Sequence, residues 1–165
     1  MSIKRMILIA LFTALMFVLT YVIAIPIGAF GFINLSDALI MLVAPYFGIL
    51  GMILVGGVGT AMADIALGYV NYSIFTFVIK SLEGIIIYLL INKLNPKYRV
   101  HIFVIGALVM LCGYGLADVL MGGDPSLFVA SMVANLPQAI ACTIIATLAY
   151  RPFNKLLERK FDESK

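Results

Sequence analysis

The stretch 62–84, "MADIALGYVNYSIFTFVIKSLEG", sets Asp64, Lys80 and Glu83 within a largely apolar run. In a soluble domain three such charges would need no explanation. In a bilayer each is costly and has to be answered by a partner charge, a water-filled cavity or a ligand. The rest of the chain decides between these settings. Of its 165 residues, 64% are hydrophobic and 12% are charged, and the mean hydropathy is +1.14, which is the composition of an integral membrane protein. No charge lies between Arg5 and Asp37, and long uncharged runs separate Asp37 from Asp64 and Asp124 from Arg151. Each exceeds the roughly 20 residues that a helix needs to cross a bilayer.

Six spans can be drawn outward from that stretch, over residues 3–25, 36–46, 48–67, 74–92, 101–121 and 127–150. The first follows Lys4 and Arg5 like a signal peptide. It is nevertheless longer than the usual apolar region of about 7 to 15 residues, and no small-residue cleavage site follows, so it reads as a membrane helix. The second is short, about 16 Å at 1.5 Å per residue against a hydrocarbon core of about 30 Å, and Pro45 and Gly48 end it. Charge placement decides whether it counts. With six spans, Lys4 and Arg5, the loop holding Lys93, Lys97 and Arg99, and the tail holding Arg151, Lys155, Arg159 and Lys160 share the cytoplasmic side, as basic residues prefer. With five, the middle group would be outside. The expectation is an all-α membrane protein, a bundle of six transmembrane helices with both termini cytoplasmic, forming one domain over 1–165. The last 15 residues read as a helix end with a frayed tail.

On this topology the charges inside the spans gather toward the outer side. Asp37 opens the second span, Asp64 and Asp118 lie near the outer ends of the third and fifth, and Lys80 and Glu83 share one face of the fourth at i, i+3. Five ionisable groups at similar depth point to a cavity open to the outside. The bland readings are that Lys80 and Glu83 neutralise each other, that Asp37 is a helix N-cap, and that Asp64 and Asp118 sit at the interface. In "NLPQ", Asn135 and Gln138 either satisfy the carbonyl that Pro137 frees or hydrogen-bond a ligand in the same cavity. Tyr69, Asn71, Tyr72, Phe30 and Phe32 are either an interfacial aromatic belt or a stacking surface for a flat ring. Ligand-contacting candidates are thus Asn34, Asp37, Asp64, Tyr72, Lys80, Glu83, Asp118, Asn135 and Gln138. Small residues in the third span, Gly56, Gly57, Gly59 and Ala63 among them, read as internal packing, whereas Ala10 and Ala14 on the first could meet another subunit.

Other chemistries lack their residues. There is no G-x-x-x-x-G-K-[ST] loop for a nucleotide, and "GGVGTAMAD" (56–64) lacks the third glycine of a dinucleotide fingerprint. His101 is the sole histidine, too few for a His-based metal cluster, and no catalytic arrangement, metal or cofactor is expected. The charge of +3 is explained by topology rather than by nucleic acid. Cys112 and Cys142 fall in apolar spans, out of CxxC spacing, and read as inert core residues.

The runs "INLSDALI" (33–40), "GGVGTAMADIALGY" (56–69), "FTFVIKSLEGIIIYLL" (75–90) and "NLPQAIACTIIATLAYRPF" (135–153) resemble, in combination, the membrane-embedded S components of energy-coupling factor (ECF) vitamin transporters, in the riboflavin-type sequence group. The resemblance covers essentially the whole chain. It implies a six-helix prokaryotic plasma-membrane protein that captures a vitamin from outside. Import would then require a membrane coupling subunit and two cytoplasmic ATPases, with the S component toppling in the membrane. It further implies that Ala10 and Ala14, matching an A-x-x-x-A face, contact the coupling subunit. One lysine, four carboxylates and several aromatics suit a small uncharged heteroaromatic ring bearing hydroxyl or amino donors. Pyridoxine and the hydroxymethylpyrimidine precursor of thiamine are the leading substrates, with riboflavin open. A stand-alone proton-coupled carrier using Asp64, Glu83 or Asp118, and a non-transporting scaffold, are the competing readings.

Overall fold

The computed structural model describes residues 3–28 and 31–162, which form helices with one small hairpin. Helix α1 covers Ile3–Val22. Strands β1 (Ile25–Pro26) and β2 (Phe32–Ile33) pair antiparallel, with Ile25 opposite Ile33 and Pro26 opposite Phe32, a feature that the apolar pattern did not foretell. Helix α2 (Ser36–Met52) continues through a π-helical stretch, Ile53–Val58, into α3 (Gly59–Ala66). Helix α4 is Val70–Lys93, a 3₁₀ turn spans Pro96–Tyr98, α5 is Arg99–Gly122 and α6 is Leu127–Asp162. The helical tail therefore reaches Asp162, and residues 163–165 lie outside the described residues, as does Phe30.

Five helical stretches are long and apolar enough to cross a membrane: Ile3–Val22, Ser36–Ala66, Val70–Lys93, Pro96–Gly122 and Leu127–Leu157. The second of them joins the two spans expected at 36–46 and 48–67, but it is not straight. Gly48 has φ +69° and ψ −175°, an extended positive-φ conformation that is essentially confined to glycine and costs a residue with a Cβ roughly 1–3 kcal/mol, and it breaks the helix there. The arms on either side fold together. Ile40 Cδ1 lies 3.5 Å from where a Cβ on Gly56 would stand, whereas sixteen residues of straight helix would separate them by about 24 Å.

Small residues bring the arms and their neighbours close. A Cβ on Gly56 would come within 2.9 Å of the Lys80 carbonyl oxygen, so α4 packs backbone to backbone at the level of its lysine. Gly56, Gly57, Gly59 and Ala63 are all buried, in agreement with internal packing. Ser36–Ala66 is the innermost segment, with Ile40, Met41, Val43, Ala44 and Met52 fully out of solvent. Helix α1 is peripheral: Met16 packs where Gly59 has no side chain, while Ile7, Leu11, Leu15 and Val18 face outward. The two cysteines part company, Cys142 buried and Cys112 exposed. Periodicity in a uniformly apolar helix carries too little contrast to have placed Cys112.

Candidate functional site

Helix α4 displays Tyr72, Thr76, Lys80 and Glu83 at intervals of four, four and three residues, which align on one face. The helix begins at Val70, four residues before the expected start, so Lys80 lies ten residues, about 15 Å, from its N-terminal end. That is near the middle of a bilayer-spanning helix. Asp37 meets it there because the short arm of α2 also starts deep in the bundle.

Lys80 Nζ pairs with Asp37 Oδ1 and, at 3.2 Å, with Glu83 Oε2. The three side chains are at most 1% exposed, so their charges are compensated within the protein rather than by water. The second Asp37 oxygen accepts from Gln138 Nε2 at 2.7 Å, Gln138 Oε1 accepts from the Asn34 N–H at 2.7 Å, and Asn34 Oδ1 accepts from the Ser36 N–H at 2.8 Å. Cys142 Sγ reaches the Asn34 carbonyl at 3.5 Å. The N-cap position of α2 is Leu35, just after Asn34, whose Oδ1 takes the first helical N–H, and Asp37 lies in the first turn with both oxygens engaged elsewhere. The reading of Asp37 as an N-cap is corrected accordingly. The Pro137 carbonyl account is also set aside: Gln138 serves Asn34 and Asp37, and Asn135 Nδ2 donates to the Ser131 carbonyl at 3.0 Å.

Above this network is a small cavity, with room for about one water, about 20 Å³. Asn34, Asp64, Tyr72, Asn135 and Gln138 line it among the sequence candidates, together with Phe32 and Tyr69 from the anticipated aromatic group. Two lining residues were missed, Thr76 and Tyr114, whose hydroxyls are 3.1 Å apart. Thr76 was findable as the residue between Tyr72 and Lys80 on their shared face, and Tyr114 as the i−4 neighbour of Asp118. The Tyr114 ring centroid is 5.6 Å from Lys80 Nζ, so one ring of the cavity wall stands beside the charged network. Asp37, Lys80 and Glu83 do not line the cavity.

Asp118 stands at the next level toward the hairpin end, where it accepts a hydrogen bond from Tyr72. Tyr72 also borders an open groove of about 520 Å³ on the far side, lined by Tyr69, Asn71, Asp118 and Leu127 among others. The Tyr72–Asp118 pair therefore forms a wall between groove and cavity. Asp64 Oδ2 and Asp118 Oδ2 are buried and find no hydrogen-bond donor in the described residues, and the same holds for Glu83 Oε1. Buried acceptors without partners are uncommon and need an account. Phe32 stacks obliquely on Tyr69 at 5.1 Å between centroids, and Tyr69 meets Tyr72 edge-on at 6.5 Å, so the hairpin and the start of α4 roof the cavity with rings. Ala10 and Ala14 lie elsewhere, exposed on α1 in an apolar groove with Met6, Phe17 and Met62.

Long apolar helices around a buried polar cluster, roofed by aromatic rings and bordered by an open groove, define a multi-pass membrane protein. The family follows from sequence: the model for "ECF-type riboflavin transporter, S component" matches residues 1–155, and the chain belongs to that family. It is a multi-pass protein of the prokaryotic cell membrane, and S components of this kind work with a membrane-embedded transport module and a small-molecule substrate. Two relatives are similar over most of their length. One is an uncharacterized protein of Pyrococcus woesei, 40% identical over 131 residues, covering 78% of this chain and 86% of the relative. The other is the thiamine precursor transporter HmpT of Lactococcus lactis subsp. cremoris (strain MG1363), 29% identical over 160 residues, covering 96% and 90%.

Proposed function

We propose that the chain captures the hydroxymethylpyrimidine precursor of thiamine from outside the cell and delivers it through an ECF module. The observation that carries this reading is Asp64 Oδ2, a buried carboxylate oxygen without a donor at a cavity walled by Phe32, Tyr69, Tyr72 and Tyr114. An aminopyrimidine supplies what the cavity lacks, a flat ring to lie among the rings and N–H and O–H groups for the carboxylate. Asn34, Asn135 and Gln138 would read the ring edge, Tyr72 and Asp118 would control entry, and Asp37, Lys80 and Glu83 would hold the floor. The thiamine precursor named for the Lactococcus relative supports the choice. Riboflavin, named in the family description, is a larger tricyclic ring and would require more opening, and no relative reported above is named for pyridoxine.

In this reading the chain is one substrate-binding unit with six crossings and both termini cytoplasmic. Arg5 Nη2 donates to the Tyr46 carbonyl at 3.1 Å, Tyr46 bonds Asn154, and Arg99 stacks on Tyr150 at 3.7 Å. The bend at Gly48 therefore shares one end of the molecule with the basic residues, which supports counting the short arm as a crossing. The partners would be a coupling subunit, seated on the Ala10 and Ala14 face, and two cytoplasmic ATPases.

The test is to purify the chain alone in mild detergent, denature it and identify the released molecule by mass spectrometry. Stoichiometric hydroxymethylpyrimidine is expected. Riboflavin in its place, or no retained ligand together with no thermal shift on adding either compound, would overturn the assignment.

A further inference from the structure

At the end of the bundle opposite the hairpin, Lys97, Arg99, Arg151 and Lys155 converge on a cleft of about 410 Å³ between the start of α5 and the late part of α6, with Tyr150 and Asn154. Among the described residues, no acidic side chain lines it and none of the four cations is in an ion pair. Four like charges around one cleft repel one another unless an anion enters. Arg99 is not free to swing into water, because its guanidinium lies 3.7 Å over the Tyr150 ring and its buried Nε meets no acceptor among the described residues. The start of α5 adds the positive end of a helix dipole. Leu94, Val100, Leu148 and Leu156 are exposed on the same two helix ends, so the cleft opens at the border of the apolar belt, where lipid headgroups lie.

We infer that this cleft is a binding site for a phosphate group, with Arg99 as its fixed donor and Lys97, Arg151 and Lys155 closing around it. The position favours the headgroup phosphate of an anionic phospholipid over free phosphate. Nothing in the transport reading requires it. The test uses native mass spectrometry of the full chain in detergent with phosphatidylglycerol or phosphatidylcholine, and thermal shift with inorganic phosphate. Each cation near an anionic headgroup is worth about 1 kcal/mol, or about five-fold, so Arg99→Gln with Arg151→Gln should cut phosphatidylglycerol retention about twenty-fold while phosphatidylcholine is unaffected. The single variant Lys155→Gln, which removes an outlying charge, should give about five-fold and guards against misfolding of the double variant. If inorganic phosphate stabilises wild type but neither variant, and phosphatidylglycerol is not preferred, the phosphate site stands and its source is soluble. Equal retention of both lipids, with no phosphate effect distinguishing wild type from the variants, would overturn the proposal and leave the cations to an acidic protein surface.

Discussion

Lys80 is the residue on which the buried charges balance. Replacing it by Met leaves Asp37 and Glu83 unopposed, and breaking a buried pair from one side costs about 3–5 kcal/mol. Lys80→Met should therefore lower the unfolding midpoint steeply, and adding Asp37→Asn and Glu83→Gln should recover most of the loss, as followed by thermal unfolding in detergent. Asp64 should behave in the opposite way. Its Oδ2 has no donor to lose, so Asp64→Asn should leave the ligand-free midpoint unchanged or raise it. Its ligand affinity should fall about 10- to 100-fold, the worth of a hydrogen bond to a charged group, measured by titration calorimetry. The sequence exposed this residue scale well, because a charge in an apolar run is conspicuous. What it hid was which charges answer one another. Asp37 and Gln138 are far apart in sequence, and no spacing rule links them. Tyr114 and Thr76 were legible only through their spacing from Asp118 and from Tyr72 and Lys80, since a tyrosine or threonine in a membrane helix is ordinary on its own.

At the scale of elements, the glycines set how closely α4 approaches the bent segment. A methyl group at position 56 would meet the Lys80 carbonyl at 2.9 Å, backbone against backbone, where neither side can rotate away. Gly56→Ala should cost about 1–3 kcal/mol by overpacking and should weaken ligand binding as well, because the face bearing Tyr72, Thr76 and Lys80 is displaced as a unit. Thermal unfolding and calorimetry on the same sample check both. Pro45 and Gly48 marked the break between the inner arms in the sequence, and the structure puts it at Gly48. The beginning of α4 was less legible. Tyr69, Asn71 and Tyr72 have the composition of an interfacial loop, yet Val70 onward is helical and Tyr72 bonds Asp118 on α5. The hairpin was illegible, for two-residue strands are too short to show an alternating pattern.

For the whole molecule, the two ends differ in kind. One carries the hairpin and the aromatic roof, the other Arg5, Lys97, Arg99, Arg151 and Lys155. With Cys112 and Cys142 replaced by Ser, Ser126→Cys should react with a membrane-impermeant maleimide added to intact cells, and Lys97→Cys only after permeabilisation. The reverse pattern would mean that the bundle sits inverted in the membrane, with the basic end outside. The cavity about one water wide has a kinetic consequence. A ring cannot enter until the Tyr72–Asp118 wall or the aromatic roof parts, so the open form limits capture however much ligand is present. Observed association rates should then level off at the opening rate in stopped-flow mixing, rather than climb in proportion to concentration. Every fold by which the open form is rare in the empty protein weakens the apparent affinity equally. The same closure, once a ligand is inside, becomes a long residence time, so that a slow doorway on the way in also guards against escape.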